Sequence, residues 1–322
     1  MKKSLVVILM LSLSAAAQQP VPPGIAARLA RARELGKAEA MKAIADVDEF
    51  TATDKKAGES GLLLAQGDSW FDYPFYNVLT NLRWKYGYEI QSAATNGKWL
   101  ESMAHNPDQL SALGELFKRA QVQGKKPRAI LLSGGGNDIA GQQLTVLLNH
   151  RALLDAPYND APLDDVIVSQ MLGRRLREDM VGLISAVKTL SARYFHDPEI
   201  PIFIHGYDHP VPDGRGYLGG FWFLPGPWLQ PSFDIKGYAH DTADRKRAVD
   251  AMASLIDDYN HVMQDVAEHS DLTHVYYIHV LGTLRNDPAN YEKDWGNELH
   301  PTRNGFRSVA AVFAEAIANH SH

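Results

Sequence analysis

From residue 61 onward, short apolar runs alternate with longer stretches in which apolar residues recur every three or four positions. The short runs, at 62–65, 89–93, 129–132, 202–205 and 274–280, predict buried strands. The longer stretches, at 75–86, 110–123, 166–192, 244–269 and 305–318, predict helices. In the first of these Phe75, Val78, Leu79, Leu82 and Tyr86 fall on one helical face, and Pro74 stands near its start, where a missing N–H is harmless. Alternating strands and helices predict an α/β fold, with a parallel sheet covered on both faces. In such sheets ligands bind beyond the carboxyl ends of the strands. The sequence carries no internal repeat.

Two stretches break the alternation. Residues 144–165 follow the third predicted strand, and residues 206–240 follow the fourth. The second is rich in Gly, Pro and aromatic residues, among them Tyr207, Tyr217, Phe221, Trp222, Phe223 and Trp228. Both are expected at the ligand-binding edge, as the walls of a pocket. Aromatic side chains there suit stacking on a sugar, enclosing an acyl chain, or packing the loop itself.

The first 60 residues have a different character. Lys2 and Lys3 precede an apolar run from Leu5 to Leu13, and Ala15, Ala16 and Ala17 offer an A-x-A cleavage site before Gln18. Residues 1–17 therefore read as an export signal, which predicts a periplasmic or extracellular protein. Residues 18–60 read as a Pro-rich spacer at 19–23, an exposed helix at 25–45 and a polar linker at 51–60, ahead of one domain spanning 61–322.

Composition adds limits more than it adds detail. At 322 residues, 45% hydrophobic and 22% charged, the chain suits one large globular domain or two small ones. The formal net charge of −6 becomes −8 once residues 1–17 and their two lysines are removed, which argues against nucleic-acid binding. There is no cysteine, so disulfides, thiolate metal sites and a lipid anchor on cysteine are excluded. Beyond residues 5–13 no segment approaches about 18 uninterrupted apolar residues, so no stable membrane span is expected after signal removal.

The candidate chemistry sits at the strand ends. The first gives Gln66-Gly67-Asp68-Ser69-Trp70, the second Ala94-Thr95-Asn96-Gly97, and the third Gly134-Gly135-Gly136-Asn137-Asp138. Near the C-terminus comes Asn297-Glu298-Leu299-His300-Pro301-Thr302. Serine becomes a good nucleophile when a base takes its proton, and histidine suits that task near neutral pH. The tetrahedral intermediate of acyl transfer then needs donors aimed at its oxygen. The backbone N–H groups of Ser69 and Gly97 and the side-chain amide of Asn137 could supply them, each such donor lowering the barrier by roughly 3–4 kcal/mol. Asp68 and Asp138 are read as structural groups that bond loop amides.

In order and spacing these four segments resemble the consensus blocks of the SGNH, or GDSL-like, hydrolase family: GDS, a lone Gly, GxND and a C-terminal DxxH. The resemblance runs from about residue 61 to 318. It implies a three-layer α/β/α sandwich, flavodoxin-like, with a central mostly parallel sheet. It implies hydrolysis of an acyl or acetyl ester of a small molecule, a carbohydrate or a lipid, without a cofactor. It maps the nucleophile to Ser69, the oxyanion donors to Ser69, Gly97 and Asn137, and the base to His300.

One position departs from the pattern. The acid expected three residues before the histidine is Asn297. A neutral amide can accept the ring N–H and fix the tautomer, but it brings no charge to an imidazolium. Asp294 in the same segment could supply a carboxylate instead, Glu298 is a further candidate, and a Ser-His dyad is the remaining arrangement. An acyltransferase using the same acyl-enzyme, or a non-catalytic binding module on a hydrolase scaffold, would fit the same residues. A second cluster, His205, Asp208, His209, Asp213, His240 and Asp241, has ligand chemistry but no recognisable zinc spacing. It is read as a polar wall in preference to a metal-dependent phosphoesterase site.

Overall fold

The structure, a computed structural model, describes residues 58–217, 225–268 and 271–320. The export signal, the 25–45 helix and most of the linker lie outside the described residues, as do Phe221, Trp222 and Phe223.

Five strands form one sheet: β1 (Leu62–Gln66), β2 (Glu89–Ser92), β3 (Ala129–Leu132), β4 (Ile202–His205) and β5 (Val275–Ile278). Their order is β2-β1-β3-β4-β5, and every pair is parallel. The three inner strands are buried at every position, which is why their sequences are unbroken apolar runs and do not alternate.

Among the helices are α1 (Val78–Tyr86), α2 (Leu100–His105), α3 (Pro107–Val122), α4 (Gly136–Ile139), α5 (Gln142–Leu147), α6 (Arg177–Phe195), α7 (Gln230–Ile235), α8 (Thr242–Ala267) and α9 (Arg303–His320). On one side α1 packs against α9, which turns Phe306, Val309, Phe313 and Ile317 into the core. On the other side α6 packs against α2, α3 and α8. The fold is a three-layer α/β/α sandwich. The chain leaves β1 toward β2 at one edge and returns to β3 on the other flank of β1. The loops after β1 and β3 therefore diverge, and a crevice opens between them.

Several helix boundaries differ from the hydrophobic pattern, and local hydrogen bonding explains each. The helix expected over 75–86 starts at Val78, because Asn77 closes a capping box with Thr80 (2.9 and 2.8 Å) and Phe75 is left-handed at φ 70°. The helix expected from 110 starts at Pro107, with Asn106 accepting from the N–H of Asp108, and α2 precedes it unforeseen. The stretch expected over 166–192 is helical over 165–195, with a π-helical segment, Ser169–Leu176, in its course. The helix expected over 244–269 runs over Thr242–Ala267, capped by Asp241.

Residues 144–165 do not wall the pocket. Leu148 bridges to Leu163, Leu144 and Leu147 are buried, and Arg151 reaches Asp244 of α8 at 2.7 Å. Apolar burial and an ion pair hold this stretch against the helical layer. The stretch 206–240 does reach the crevice, and it contains α7.

Candidate active site

Ser69 follows β1 by three residues, at the crevice where the β1 and β3 loops part. Its neighbour Asp68 is buried and accepts hydrogen bonds from the Trp70 N–H (3.0 Å), the Ser133 hydroxyl (2.7 Å) and the Tyr207 hydroxyl (2.5 Å). One carboxylate thus ties together the ends of β1, β3 and β4. Burial and the Asp68 charge hold the Tyr207 hydroxyl well above its ordinary pKa, so it remains a donor to that carboxylate.

His300 arrives from the far end of the chain. Its loop is braced internally: the Gly296 N–H donates to the His300 carbonyl (2.9 Å) and the Thr302 N–H to the Asp294 carbonyl (2.7 Å). It is docked externally by the Trp70 indole N–H, which donates to the Leu299 carbonyl at 3.1 Å. These contacts bring His300 Nε2 to 2.8 Å from Ser69 Oγ. At the ring's other nitrogen, Nδ1 lies 3.0 Å from Asn297 Oδ1.

The orientation of Asn297 follows from its partners. Its Oδ1 also accepts from the N–H groups of Leu299 (3.0 Å) and His300 (2.9 Å), so the oxygen must face inward, while Nδ2 donates to the Tyr73 hydroxyl at 3.1 Å. An oxygen that already accepts can take only a donor from the ring. Nδ1 therefore carries the proton and Nε2 presents a lone pair to the Ser69 hydroxyl.

The other acidic candidates are occupied elsewhere. Asp294 is gripped by Arg285, at 2.6 Å to each carboxylate oxygen from the guanidinium, and this pairing holds its carboxyl below the usual range. The expectation that Asp294 could orient His300 is not met in the hydrogen bonding: both its oxygens are held by Arg285, and the partner of Nδ1 is Asn297 Oδ1. Glu298 accepts from four backbone N–H groups: Gly214 on one side, and Trp228, Leu229 and Gln230 at the start of α7 on the other.

A cavity of about 300 Å³ opens onto Ser69 and His300, with Tyr73, Pro74, Gly97, Asn137, Tyr217 and Trp228 among its walls. Gly97 has φ 70°, a conformation that disfavours a side chain, although open space surrounds the position. Among the described residues, neither the Ser69 nor the Gly97 N–H donates to a protein acceptor. Asn137 is anchored by one Nδ2 hydrogen on the Lys98 carbonyl (3.0 Å), which leaves its second amide hydrogen for the cavity. Gly135, at φ 103°, lets the β3 loop turn close above Tyr259, whose ring would meet an added Cβ at 2.6 Å. A smaller apolar space of about 40 Å³ also touches Ser69 and Asn137, between Ile139, Leu229, Met252 and Leu299.

The second cluster disperses. His205 is buried beside Trp70 and Phe71, and Asp208 accepts from the N–H groups of His209 and Leu284. His209 pairs with Asp257, Asp213 with Arg215, and His240 with Asp234, while Asp241 caps α8. Among the described residues, no three His, Asp or Glu side chains converge in a metal-binding group. Two features of the site lay outside the reading of the sequence. These are Tyr73, whose ring stacks on His300, and the Glu298 staple. The only local signal was an aromatic or acidic residue near a motif.

Burial sets the electrostatics. It pushes the His300 ring down to about 3, so the imidazole is neutral near pH 7. Burial also pushes the Asp138 carboxyl up to about 6, against the Leu100 N–H that it accepts. Below pH 6.5 the unfolded chain protonates His300 while the folded one does not, so stability is lost as pH falls from 6.5 toward 3. Asp138 acts oppositely: the folded form holds a proton below about 6 that the unfolded form takes up only near 3.8, offsetting part of that loss. Urea denaturation at pH 7 and 5 should show a His300 share of about 2 kcal/mol, removed in His300→Gln. An unchanged pH dependence in that variant would contradict a neutral His300 in the folded state.

No family model matches this sequence, and no curated protein is significantly similar to it. Solved structures with a related course of the chain include the lipase Lip_vut3 from a goat rumen metagenome, at 14% identity, covering 79% of this chain and 96% of that one with a TM-score of 0.46. A member of the lipolytic protein G-D-S-L family from Veillonella parvula matches at 11% identity, 80% and 98% coverage and a TM-score of 0.43. The lipase/acylhydrolase from Enterococcus faecalis matches at 12% identity, 81% and 97% coverage and a TM-score of 0.39. At these identities and scores the chemistry of the site rests on its own geometry. What the chain is similar to, by these matches, is a set of lipolytic hydrolases, a G-D-S-L family member among them.

Proposed function

We propose that this protein is an exported serine ester hydrolase that works through an acyl-Ser69 intermediate, with His300 as base and Asn297 as its orienting partner. The observation that carries the reading is the aligned chain of contacts Ser69 Oγ, His300 Nε2, His300 Nδ1 and Asn297 Oδ1, at 2.8 and 3.0 Å, beside a cavity. The export part rests on the N-terminal pattern of Lys2, Lys3 and the apolar run after them.

In this mechanism the Ser69 O–H bond breaks as Oγ bonds the ester carbonyl carbon, and the proton passes to Nε2. The carbonyl electron pair moves to oxygen, where the N–H groups of Ser69 and Gly97 and the Asn137 amide receive it. Collapse expels the alcohol, which takes the proton back from Nε2. Water then gives a proton to the same nitrogen as its oxygen bonds the acyl carbon, and collapse breaks the bond to Oγ, returns the proton to Ser69 and releases the acid. The 40 Å³ apolar space beside Ser69 holds about three water-sized groups, which makes a short acyl ester such as p-nitrophenyl acetate the substrate for the assay. A fluorophosphonate probe should label Ser69 in the folded protein and no residue in Ser69→Ala. Folded protein that resists labelling would overturn the reading and favour a binding module.

A further inference from the structure

Proton transfer makes His300 a cation, yet the position that would face it with a carboxylate holds a neutral amide. The groups around the ring are Ser69 Oγ at Nε2, Asn297 Oδ1 at Nδ1, Tyr73 stacked parallel (centroids 4.3 Å apart, planes at 22°) and Trp228 edge-on (5.3 Å, 76°). None of these is charged. The nearby carboxylates are committed elsewhere: Asp68 to Ser133 and Tyr207, Asp294 to Arg285, and Glu298 to backbone N–H groups.

The face of an aromatic ring is negative, and a cation within about 6 Å of its centroid is attracted to it. Tyr73 presents that face at 4.3 Å, and its own position is set by packing against Tyr76, Tyr217 and Phe306. Its hydroxyl, at the other end of the side chain, accepts from Asn297 Nδ2 at 3.1 Å. The Leu299 and His300 N–H groups fix which way the amide faces, and the bond to Tyr73 anchors its other end beside the ring. One residue thus touches both the His300 ring and the amide beside it.

We propose that Tyr73 is a positioning residue for ester hydrolysis: its ring face stabilises the His300 imidazolium in place of a carboxylate, and its hydroxyl anchors the Asn297 amide that orients the ring. This rests on the serine-hydrolase reading above. The step concerned is the one in which the Ser69 proton moves to Nε2 as Oγ bonds the carbonyl carbon, and its reversal when the leaving alcohol is protonated.

The test separates ring charge from ring shape. Tyr73→Phe removes only the hydroxyl and should cost about 2–5-fold in kcat on p-nitrophenyl acetate. Pentafluorophenylalanine at position 73 keeps the outline of Phe while reversing the charge of the face. It should cost a further 3–30-fold, roughly, in kcat with KM within about twofold and Tm unchanged. Adding Asn297→Asp should recover most of the fluorination loss, because a carboxylate then supplies the missing charge. Tyr73→Leu with and without Asn297→Asp asks the same question without a synthetic residue. Fluorinated and plain Phe agreeing within about twofold, or Asn297→Asp failing to narrow their gap, would overturn the proposal. Fluorophosphonate labelling of the wild type keeps the two readings apart. An unlabelled Ser69 sinks the hydrolase, while a labelled Ser69 with no fluorination effect sinks only the role of Tyr73.

Discussion

Ser69→Ala should lower kcat on p-nitrophenyl acetate by about four to six orders of magnitude while leaving the fold intact. The size follows from what is removed: without Oγ no acyl-enzyme can form, and only oxyanion donors and binding remain to speed attack by water. The stability side is equally specific. The Ser69 hydroxyl bonds one partner, His300 Nε2, and the loss of one such bond changes stability by about 1 kcal/mol. Thermal denaturation and hydrolysis measured on one preparation check both halves. Residual activity above about 1% of wild type would mean that another group attacks the ester.

Glu298→Ala should give the largest loss of stability among the residues around the site. Its carboxylate is fully buried and accepts from Gly214 (2.9 Å), Trp228 (2.5 Å), Leu229 (2.7 Å) and Gln230 (2.9 Å). Burial raises its pKa and the four N–H groups pull it down. Each buried donor left without an acceptor costs about 1–3 kcal/mol, so the variant should lose about 4–8 kcal/mol after some water entry. For a domain of this size that is a fall in Tm of about 10–25 °C by differential scanning calorimetry. Glu298→Gln should fall between the two, because its amide keeps one acceptor oxygen and turns a donor toward two of the N–H groups. A loss below about 1 kcal/mol for Glu298→Ala would mean that the loop holds its shape without the staple.

The sequence made the sheet legible because its inner strands are buried on both faces, and unbroken runs such as Leu62 to Ala65 have few other uses in a soluble fold. Helix starts were less legible, since they depend on single side-chain bonds. Periodicity carries Phe75 into α1, while Asn77 and Thr80 stop it there. At the site, Ser69, Gly97, Asn137 and His300 stood out because each ends a strand or opens a helix within a short motif. The partner of His300 could not be read, because Asn297 and Asp294 lie within six residues of the base, and only the Arg285 fork separates their roles. Tyr73 was hidden for a related reason: its 4.3 Å stack joins residues far apart in the sequence, and no local pattern marks it.

The separation of Ser69 and His300 along the chain, 231 residues, has a consequence for the time order of biosynthesis. At about 5–20 residues per second, a ribosome that has just added Ser69 needs roughly 10–50 s to reach His300. Throughout that interval the serine is an ordinary alcohol, no more reactive than any other in the nascent chain. A chain cut short before residue 300 would carry the serine without the histidine that lies against it.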